Sequence, residues 1–257
     1  MITFSQLGKM GRFGNGLFQI AGTIGLATKY GYAYGFPEWR NHDHADRFGS
    51  KEDCDLQKYF VNPLPRIDNA DQYQNFEIPW GWHPELKPPD NVSLYGHMQS
   101  DKYFLHCIDT VKHYFMMKDE QEQNDFIALH VRRGDYDNNF HPRLGREYYE
   151  LALEQFPEDY RVILFSDDVQ PALDMLGDFS ERLFYLPESG DYINHFKQMK
   201  RCKHFITGNS SYSLMAAILG DHPDKKIVCP SNWWGPGWGP NHKELCKDVY
   251  PKNAIVI

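Results

Sequence analysis

The chain has 257 residues, a formal net charge of −8 and an aromatic content of 15 %. This length suffices for one large core or two smaller ones, and the negative charge argues against a protein that grips nucleic acid with a basic face. No apolar run approaches the roughly 20 residues that span a bilayer. The first residues also lack the features of a signal peptide, so the sequence predicts a cytoplasmic protein without a membrane span.

The N-terminal residues predict a strand, a helix and a second strand. Ile2 to Leu7 forms the first strand, Leu17 to Tyr30 has the apolar periodicity of a helix, and Gly31 is a stop signal. Tyr32 to Phe36 completes a βαβ unit. The glycines of GRFGNG, between the first strand and the helix, allow a ligand to approach the backbone closely, although a tight turn would explain them equally well.

Residues 37–90 show no regular pattern, and neither their histidines nor the cysteines of the chain predict a metal site. NHDH at 41–44 is better explained as a solvated polar loop than as a ligand set. No CxxC pair occurs, so we expect reduced thiols and neither a disulfide framework nor a zinc site. The cysteines are Cys54, Cys107, Cys202, Cys229 and Cys246.

A polar run divides the chain. NVSLYG predicts a short strand, and Ser100 to Met117 has helical spacing with Ser100 or Asp101 as a natural cap. KDEQEQND follows as the most polar run of the chain, which is typical of a linker. We therefore predict one domain over 1–117 and a second over 118–257.

The second domain alternates apolar runs with helical patterns. Such alternation is typical of a parallel, doubly wound sheet. The predicted strands are Phe126 to Val131, RVILF, RLFYL, HFIT and KIVCP, and the predicted helices are Arg146 to Phe156, VQPALDML, Asp191 to Cys202 and Ser211 to Leu219.

Polar residues follow three of these strands, where such sheets bind ligands. Arginines and a helix N-terminus favour phosphate, and carboxylates can accept hydrogen bonds from ribose or a base. Together they indicate a nucleotide pocket. Two alternatives stay open: Arg132 could simply form an ion pair with Asp135, and the acid pair of FSDD could hold a metal ion. The three groups are His130, Arg132 and Arg133; Ser166, Asp167 and Asp168; and Gly208, Asn209, Ser210 and Ser211.

Five motifs together resemble the bacterial-type alpha-1,2-fucosyltransferases, glycosyltransferase family eleven. They are GRFGNGLFQIA, YGHMQSDKYF, HVRRGDY, LFSDD and ITGNSSYSLMAAIL, and they occur in the order typical of that family. The first motif is also similar to protein O-fucosyltransferases. The chain departs from the family pattern at Gly16, where glutamine is usual, and at Leu214 and Met215, where two tryptophans are common.

The resemblance implies an α/β, GT-B-like fold in which two Rossmann-like domains with parallel sheets face a cleft. The C-terminal domain would hold GDP-fucose without a metal or other cofactor, and the N-terminal domain would shape the acceptor site. Donor-binding residues would be Gly14, Asn15, His130, Arg132, Arg133, Asp167 or Asp168, Asn209, Ser210 and Ser211. Arg132 would also stabilise the departing GDP.

The implied reaction is inverting transfer of L-fucose to a glycan hydroxyl, the 2-OH of a galactoside being favoured. Inversion needs a base, and the candidates are Asp135, Asp137 and His141, although Asp135 could instead orient the arginines. Tryptophans at 80, 82, 233, 234 and 238 could stack on acceptor sugars or pack turns. The alternatives are another donor or linkage, such as O-fucosyl transfer, and an inactive protein that binds sugar or nucleotide.

Overall fold

The computed structural model describes residues 1–40, 55–177, 183–185 and 191–257. The chain divides into two compact units, Met1–Glu120 and Gln121–Ile257. This division lies within the polar run KDEQEQND, just beyond the predicted boundary at 117/118. None of the helices described is long and apolar enough to cross a membrane.

Unit 1 contains a small parallel sheet beside a long helix. Strands β1 (Ile2–Thr3), β2 (Gln74–Glu77) and β3 (Val92–Tyr95) lie in the order β1-β3-β2. The strand predicted at Tyr32 to Phe36 is not formed. Within the described part of the chain its residues make two isolated bridges, Tyr34 with Ile2 and Phe36 with Arg66.

Helix α1 (Phe13–Tyr30) begins four residues before the predicted start, so it includes the end of GRFGNG. It ends at Gly31, whose φ of 70° is the left-handed conformation that glycine adopts most easily. The ring of Trp39 stacks on Phe13 at 5.3 Å and lies against the helix at Gly16, where a Cβ atom would be only 2.7 Å from the indole. The packing of Trp39 therefore requires the small residue at position 16.

The single helix predicted over Ser100 to Met117 is broken into three pieces. Two 3-10 helices, Asp101–Tyr103 and Leu105–Cys107, precede α2 (Ile108–Tyr114). The break follows from close contact with α1, because a Cβ atom at Gly25 would lie 2.0 Å from the carbonyl oxygen of Tyr103. The apolar spacing fitted a helix, but packing against α1 sets the actual backbone path.

Unit 2 is built on a parallel sheet with the order β6-β5-β4-β7-β8-β9. The strand order reverses direction between β4 and β7, which makes this the switch point where doubly wound sheets bind ligands. The strands are β4 (Asn124–Val131), β5 (Val162–Ser166), β6 (Leu183–Tyr185), β7 (Cys202–Ile206), β8 (Ile227–Cys229) and β9 (Ile255–Val256). The helices are α3 (Arg146–Leu153), α4 (Val169–Leu176), α5 (Tyr192–Lys200), α6 (Ser211–Leu219) and α7 (His242–Cys246).

The core of unit 2 surrounds the central strand. Ile127, Leu129 and Val131 of β4 are buried with Val162 and Leu164 of β5 in one apolar cluster. Because strands at the centre of a parallel sheet are covered on both faces, they read as continuous apolar runs in the sequence. A parallel sheet with helices in each unit confirms the predicted α/β, GT-B-like fold class.

Candidate functional site

The predicted strand-end residues of unit 2 meet at the switch point between β4 and β7. Gly208, two residues beyond β7, lies directly against His130 near the end of β4. A Cβ atom at Gly208 would be 3.1 Å from His130 Nδ1 and 3.2 Å from the His130 carbonyl oxygen. The absence of a side chain at position 208 therefore allows the two strand ends to approach each other.

Asp167 fixes the turn that follows β4. Its carboxylate accepts hydrogen bonds from the backbone N–H of Arg133 at 2.8 Å and of Gly134 at 3.0 Å. It also pairs with Arg132 Nη1 at 3.0 Å. Both carboxylate oxygens are thus engaged within the protein. By contrast, Asp168 is exposed, and its carboxylate makes no hydrogen bond with the residues described, so it can accept one from a ligand.

The guanidinium of Arg132 lies between two carboxylates. Asp135 Oδ1 accepts from Nη2 at 2.6 Å and from Nε at 3.1 Å, opposite the contact with Asp167. Burial, the largest single effect, opposes ionisation, but the charges of Asp167 and Asp135 outweigh it and raise the pKa of Arg132. The pairing of Arg132 with Asp135, which the sequence left open, is therefore present and holds the guanidinium in one orientation.

Arg133 differs from its neighbour. Its Nε and Nη2 atoms are buried, and neither has a hydrogen-bond partner among the residues that the structure describes. A buried N–H group without a partner costs about 1–3 kcal/mol, and a guanidinium cannot lose its charge to avoid the cost. Unsatisfied donors on a fixed cation are well suited to phosphate oxygens. The family resemblance implied that Arg132 meets the departing GDP, but the hydrogen bonding favours Arg133 as the phosphate ligand.

His130 is buried as a neutral imidazole. It is 4 % exposed, and burial together with the nearby charge of Arg132 lowers its pKa to about 3. Its Nδ1 atom has no hydrogen-bond partner in the part of the chain that the structure describes. The ring lies 5.8 Å from that of Tyr212 on α6. A neutral ring beside two arginines adds no positive charge of its own to the site.

Asn209 joins three loops beside the N-terminus of α6. Its Nδ2 donates to the carbonyl oxygens of Pro142 at 3.0 Å and Trp233 at 3.3 Å. Its own carbonyl oxygen accepts from the buried Tyr136 hydroxyl at 2.7 Å. The Asn209 amide nitrogen thus supports the loops, whereas its predicted contact with phosphate stays a prediction.

The first turn of α6 presents backbone donors at the same edge of the sheet. Ser210 is the N-cap residue, yet its side chain does not cap the N–H groups that follow. Uncapped N–H groups and the positive end of the helix dipole attract anions. Ser210 and Ser211 therefore lie where a phosphate group could be bound.

The predicted base candidates lie in the loop after β4. His141 is enclosed by aromatic rings, lying 5.1 Å from Tyr136 and 5.4 Å from Trp234. Asp135 is engaged by Arg132. Backbone N–H groups of Phe140 and Asn139 lower the pKa of Asp137, which makes it a weaker base. Asp135 therefore has the geometry of a positioning residue, and His141 stays the candidate base.

Unit 1 presents the other predicted donor-binding residues in the first turn of α1. Gly14 is buried, and Asn15 Oδ1 accepts from Gln99 Nε2 at 2.5 Å. Asn15 also packs against Gly11, whose φ of 85° lies in the left-handed region. The sequence did not single out Gln99 as a site residue, although it belongs to the quoted motif YGHMQSDKYF. Its contact with Asn15 bridges 84 residues, so local pattern could not reveal it.

Among the described residues, no group of three or more His, Cys, Asp or Glu side chains could hold a metal ion. Asp167 of FSDD is already engaged by Arg132 and two backbone N–H groups. Cys107, Cys202, Cys229 and Cys246 are buried free thiols. NHDH and Cys54 lie outside the described residues.

Doubly wound parallel sheets bind ligands at the switch point, and arginines with an uncapped helix N-terminus at that point favour an anionic ligand. A family model described as Glycosyl transferase family 11 matches residues 83–235, which is more than half of the chain. The chain belongs to this family, as the five motifs indicated.

Individual relatives are more distant. The O-antigen biosynthesis glycosyltransferase WbnK of Escherichia coli is 34 % identical over 142 residues, which cover 50 % of this chain and 45 % of WbnK. The chain thus spans about half the length of that relative. An alpha-1,2-colitosyltransferase of Escherichia coli is 24 % identical over 222 residues, which cover 76 % of this chain and 74 % of that relative. Among solved structures, fucosyltransferase NodZ from Bradyrhizobium has a TM-score of 0.49 at 14 % identity, covering 85 % of this chain and 92 % of NodZ.

Proposed function

We propose that the protein transfers L-fucose from GDP-β-L-fucose to a glycan hydroxyl, with inversion and without a metal ion. The favoured acceptor is the 2-OH of a galactoside. Membership of the glycosyltransferase family supports the class of reaction, and the resemblance of the five motifs to alpha-1,2-fucosyltransferases supports the donor and the linkage. The observation that carries the proposal is the pair of buried Arg133 N–H groups at the switch point, which have no partner within the described residues.

The diphosphate of the donor would complete the hydrogen bonding of the strand-end site. Asp135 and Asp167 together more than balance the charge of Arg132, so positive potential comes chiefly from the Arg133 head and the first turn of α6. Phosphate oxygens there would accept hydrogen bonds from the N–H groups that the fold leaves unsatisfied. The exposed carboxylate of Asp168 would accept a hydrogen bond from a ribose hydroxyl of the donor.

Cleavage of the glycosidic bond builds negative charge on the leaving GDP. Preorganised donors lower the energy of such charge most when they need not move during the reaction. The two carboxylates hold Arg132 in a fixed orientation, so it would act alongside Arg133 as this charge grows. A base must remove the acceptor proton from the face opposite the departing GDP, and His141 is the residue we assign to this step.

Transfer of colitose is the second candidate. One relative, matched over 76 % of this chain, is an alpha-1,2-colitosyltransferase. Colitose lacks the 3-hydroxyl of fucose, so the two donors differ by one group. A site that hydrogen-bonds the 3-hydroxyl would strongly disfavour the deoxy donor.

The proposed donor can be tested by comparing kcat/KM for GDP-fucose, GDP-colitose and UDP-galactose with lactose as acceptor. We expect GDP-fucose to be preferred and UDP-galactose to be inert. A preference for GDP-colitose would establish the second candidate, and turnover with UDP-galactose alone would contradict both. Activity should survive exhaustive EDTA treatment, and a loss that manganese or magnesium restores would refute the metal-free mechanism.

A further inference from the structure

Five aromatic side chains form a cluster where two loops of unit 2 meet. His141 lies at its centre, with ring distances of 5.1 Å to Tyr136, 5.4 Å to Trp234 and 6.3 Å to Trp238. Phe140 packs edge-on against Trp238 at 6.0 Å. We call Tyr136, Phe140, His141, Trp234 and Trp238 the aromatic cluster.

The two loops that carry the aromatic cluster are bonded to each other. The backbone N–H of Gly235 donates to the carbonyl oxygen of Phe140 at 3.0 Å, and that of Gly237 donates to the carbonyl oxygen of Asn139 at 2.8 Å. Trp238 Nε1 also donates to the Phe140 carbonyl oxygen at 3.1 Å. A Cβ atom at Gly235 would lie 2.1 Å from the Asn139 carbonyl oxygen, so the approach of the loops requires glycine there. The rings are therefore held in defined positions.

The aromatic cluster is continuous with the strand-end site. The Arg132 guanidinium lies 5.7 Å from the centre of the Tyr136 ring, and that ring lies nearly parallel to His141. The Tyr136 hydroxyl bonds Asn209, the residue before the N-cap of α6. The line from Arg132 through Tyr136 and His141 thus leads from the proposed phosphate site to Trp238 and Phe140.

The exposed part of the aromatic cluster has the size and rim of a sugar subsite. Phe140 is 43 % exposed and Trp238 is partly buried, while Asp137, Asn138 and Asn139 beside them are exposed polar residues. Two rings are far too small for a stable protein interface, which buries more than about 1,000 Å². An aromatic face with a few polar groups around it suits a small, partly apolar ligand.

We propose that a neutral pyranose ring of the acceptor glycan stacks on the face of Phe140, while Trp238, which lies perpendicular to Phe140, contacts the edge of the sugar. The C–H groups on one face of a pyranose can pack on the phenyl ring, while its hydroxyl groups can bond the polar rim. This inference rests on the proposed function, because it assigns the acceptor to a surface next to the proposed donor site. It makes this surface the determinant of acceptor affinity and leaves donor binding to the strand ends.

The test is acceptor kinetics of Phe140→Ala with lactose at saturating GDP-fucose. We expect acceptor KM to rise about tenfold, in line with the loss of one stacked aromatic contact, while donor KM stays within about twofold of wild type. Phe184→Ala removes another exposed phenylalanine of the same unit, on β6, and is the matched control with unchanged KM values. Trp238→Phe keeps a ring but changes its size and is expected to raise acceptor KM less than Phe140→Ala.

The possible results separate the stacking inference from the proposed function. Unchanged acceptor KM in an active Phe140→Ala enzyme would overturn the stacking inference and leave the proposed function intact. A rise in donor KM with unchanged acceptor KM would assign the surface to the nucleotide, which also overturns it. If wild type transfers no fucose, saturation-transfer NMR of lactose with the GDP-bound protein still decides. A lactose signal that is present with wild type and absent with Phe140→Ala supports the subsite, and the absence of any lactose signal with wild type refutes it.

Discussion

Arg132 and Arg133 are adjacent in sequence, yet replacing each by methionine should have opposite consequences. Met has a similar length and no charge. In Arg133→Met the change removes two buried N–H groups that have no partner among the described residues. In Arg132→Met it leaves Asp135 and Asp167 without their cation. The first change should chiefly weaken GDP binding, and the second should chiefly lower the stability of the fold.

The expected magnitudes follow from these contacts. Hydrogen bonds to charged groups contribute about 1.5–3 kcal/mol each. Losing two hydrogen bonds between Arg133 and a diphosphate should weaken GDP binding by about 3 kcal/mol, taking the lower value for each bond, which is roughly a hundredfold in affinity. The melting temperature of Arg133→Met should be equal to or higher than that of wild type, because unsatisfied buried donors are gone. Arg132→Met should lose about 3 kcal/mol of stability, which lowers the melting temperature by about 6–12 °C.

Isothermal titration calorimetry with GDP and thermal unfolding of the same samples measure both quantities. Gln170→Ala, at an exposed position in α4, serves as a control that should change neither. Wild-type GDP affinity in folded Arg133→Met would refute the assignment of Arg133 to the diphosphate. A drop in melting temperature equal to that of Arg132→Met would show that Arg133 is a structural cation after all.

Three further predictions concern stability. Because the pKa of His130 is lowered to about 3 in the folded protein, the unfolded chain binds more protons than the folded one below about pH 6.5. The unfolding free energy measured in urea should therefore fall by up to about 1.4 kcal/mol per pH unit from pH 6 to 4. The same pH dependence in His130→Gln would contradict this. Lys225 Nζ donates to three carbonyl oxygens at the C-terminal end of α6, at 2.7, 3.0 and 2.7 Å. Lys225→Met should therefore lower the stability measured by thermal unfolding by about 1–3 kcal/mol without altering GDP affinity. Unchanged stability would show that Lys225 does not stabilise this helix end. Gly16→Ala should lower stability by about 1–3 kcal/mol, because the added methyl group would overlap the indole of Trp39. The double variant with Trp39→Leu should lose less stability than the sum of the two single changes. Strict additivity would show that the two sites are independent.

The sequence predicted the central strands of unit 2 well because β4, β5 and β7 are largely buried on both faces. The last five residues of β4 are all buried and four of them are apolar, so the strand is recognisable in the sequence although His130 interrupts the apolar run. Unit 1 has strands of two to four residues, too short for a period of two to be recognised. The broken helix near Tyr103 shows a further limit, because its path depends on contact with Gly25, far away in sequence.

The candidate site was predictable in its location but not in its bonding. The rule that ligands bind at the carboxyl ends of parallel strands was enough to select His130, Asp167 and Asn209. It could not distinguish Arg132 from Arg133, because their different environments depend on Asp167, which comes from the next strand along the chain. Neither did it reveal that Asn209 ties three loops together.

The proposed function requires this glycosyltransferase-family chain to use GDP-fucose through the strand-end site of unit 2. Its most direct test is the mass of the product formed from GDP-fucose and a panel of galactosides, by wild type and by Arg133→Met at a donor concentration near the wild-type KM. We expect wild type to add one fucose and Arg133→Met to form product about fiftyfold more slowly, which is the effect of a roughly hundredfold higher donor KM at this concentration. Absence of any fucosylated product, or equal rates for the two proteins, would contradict it.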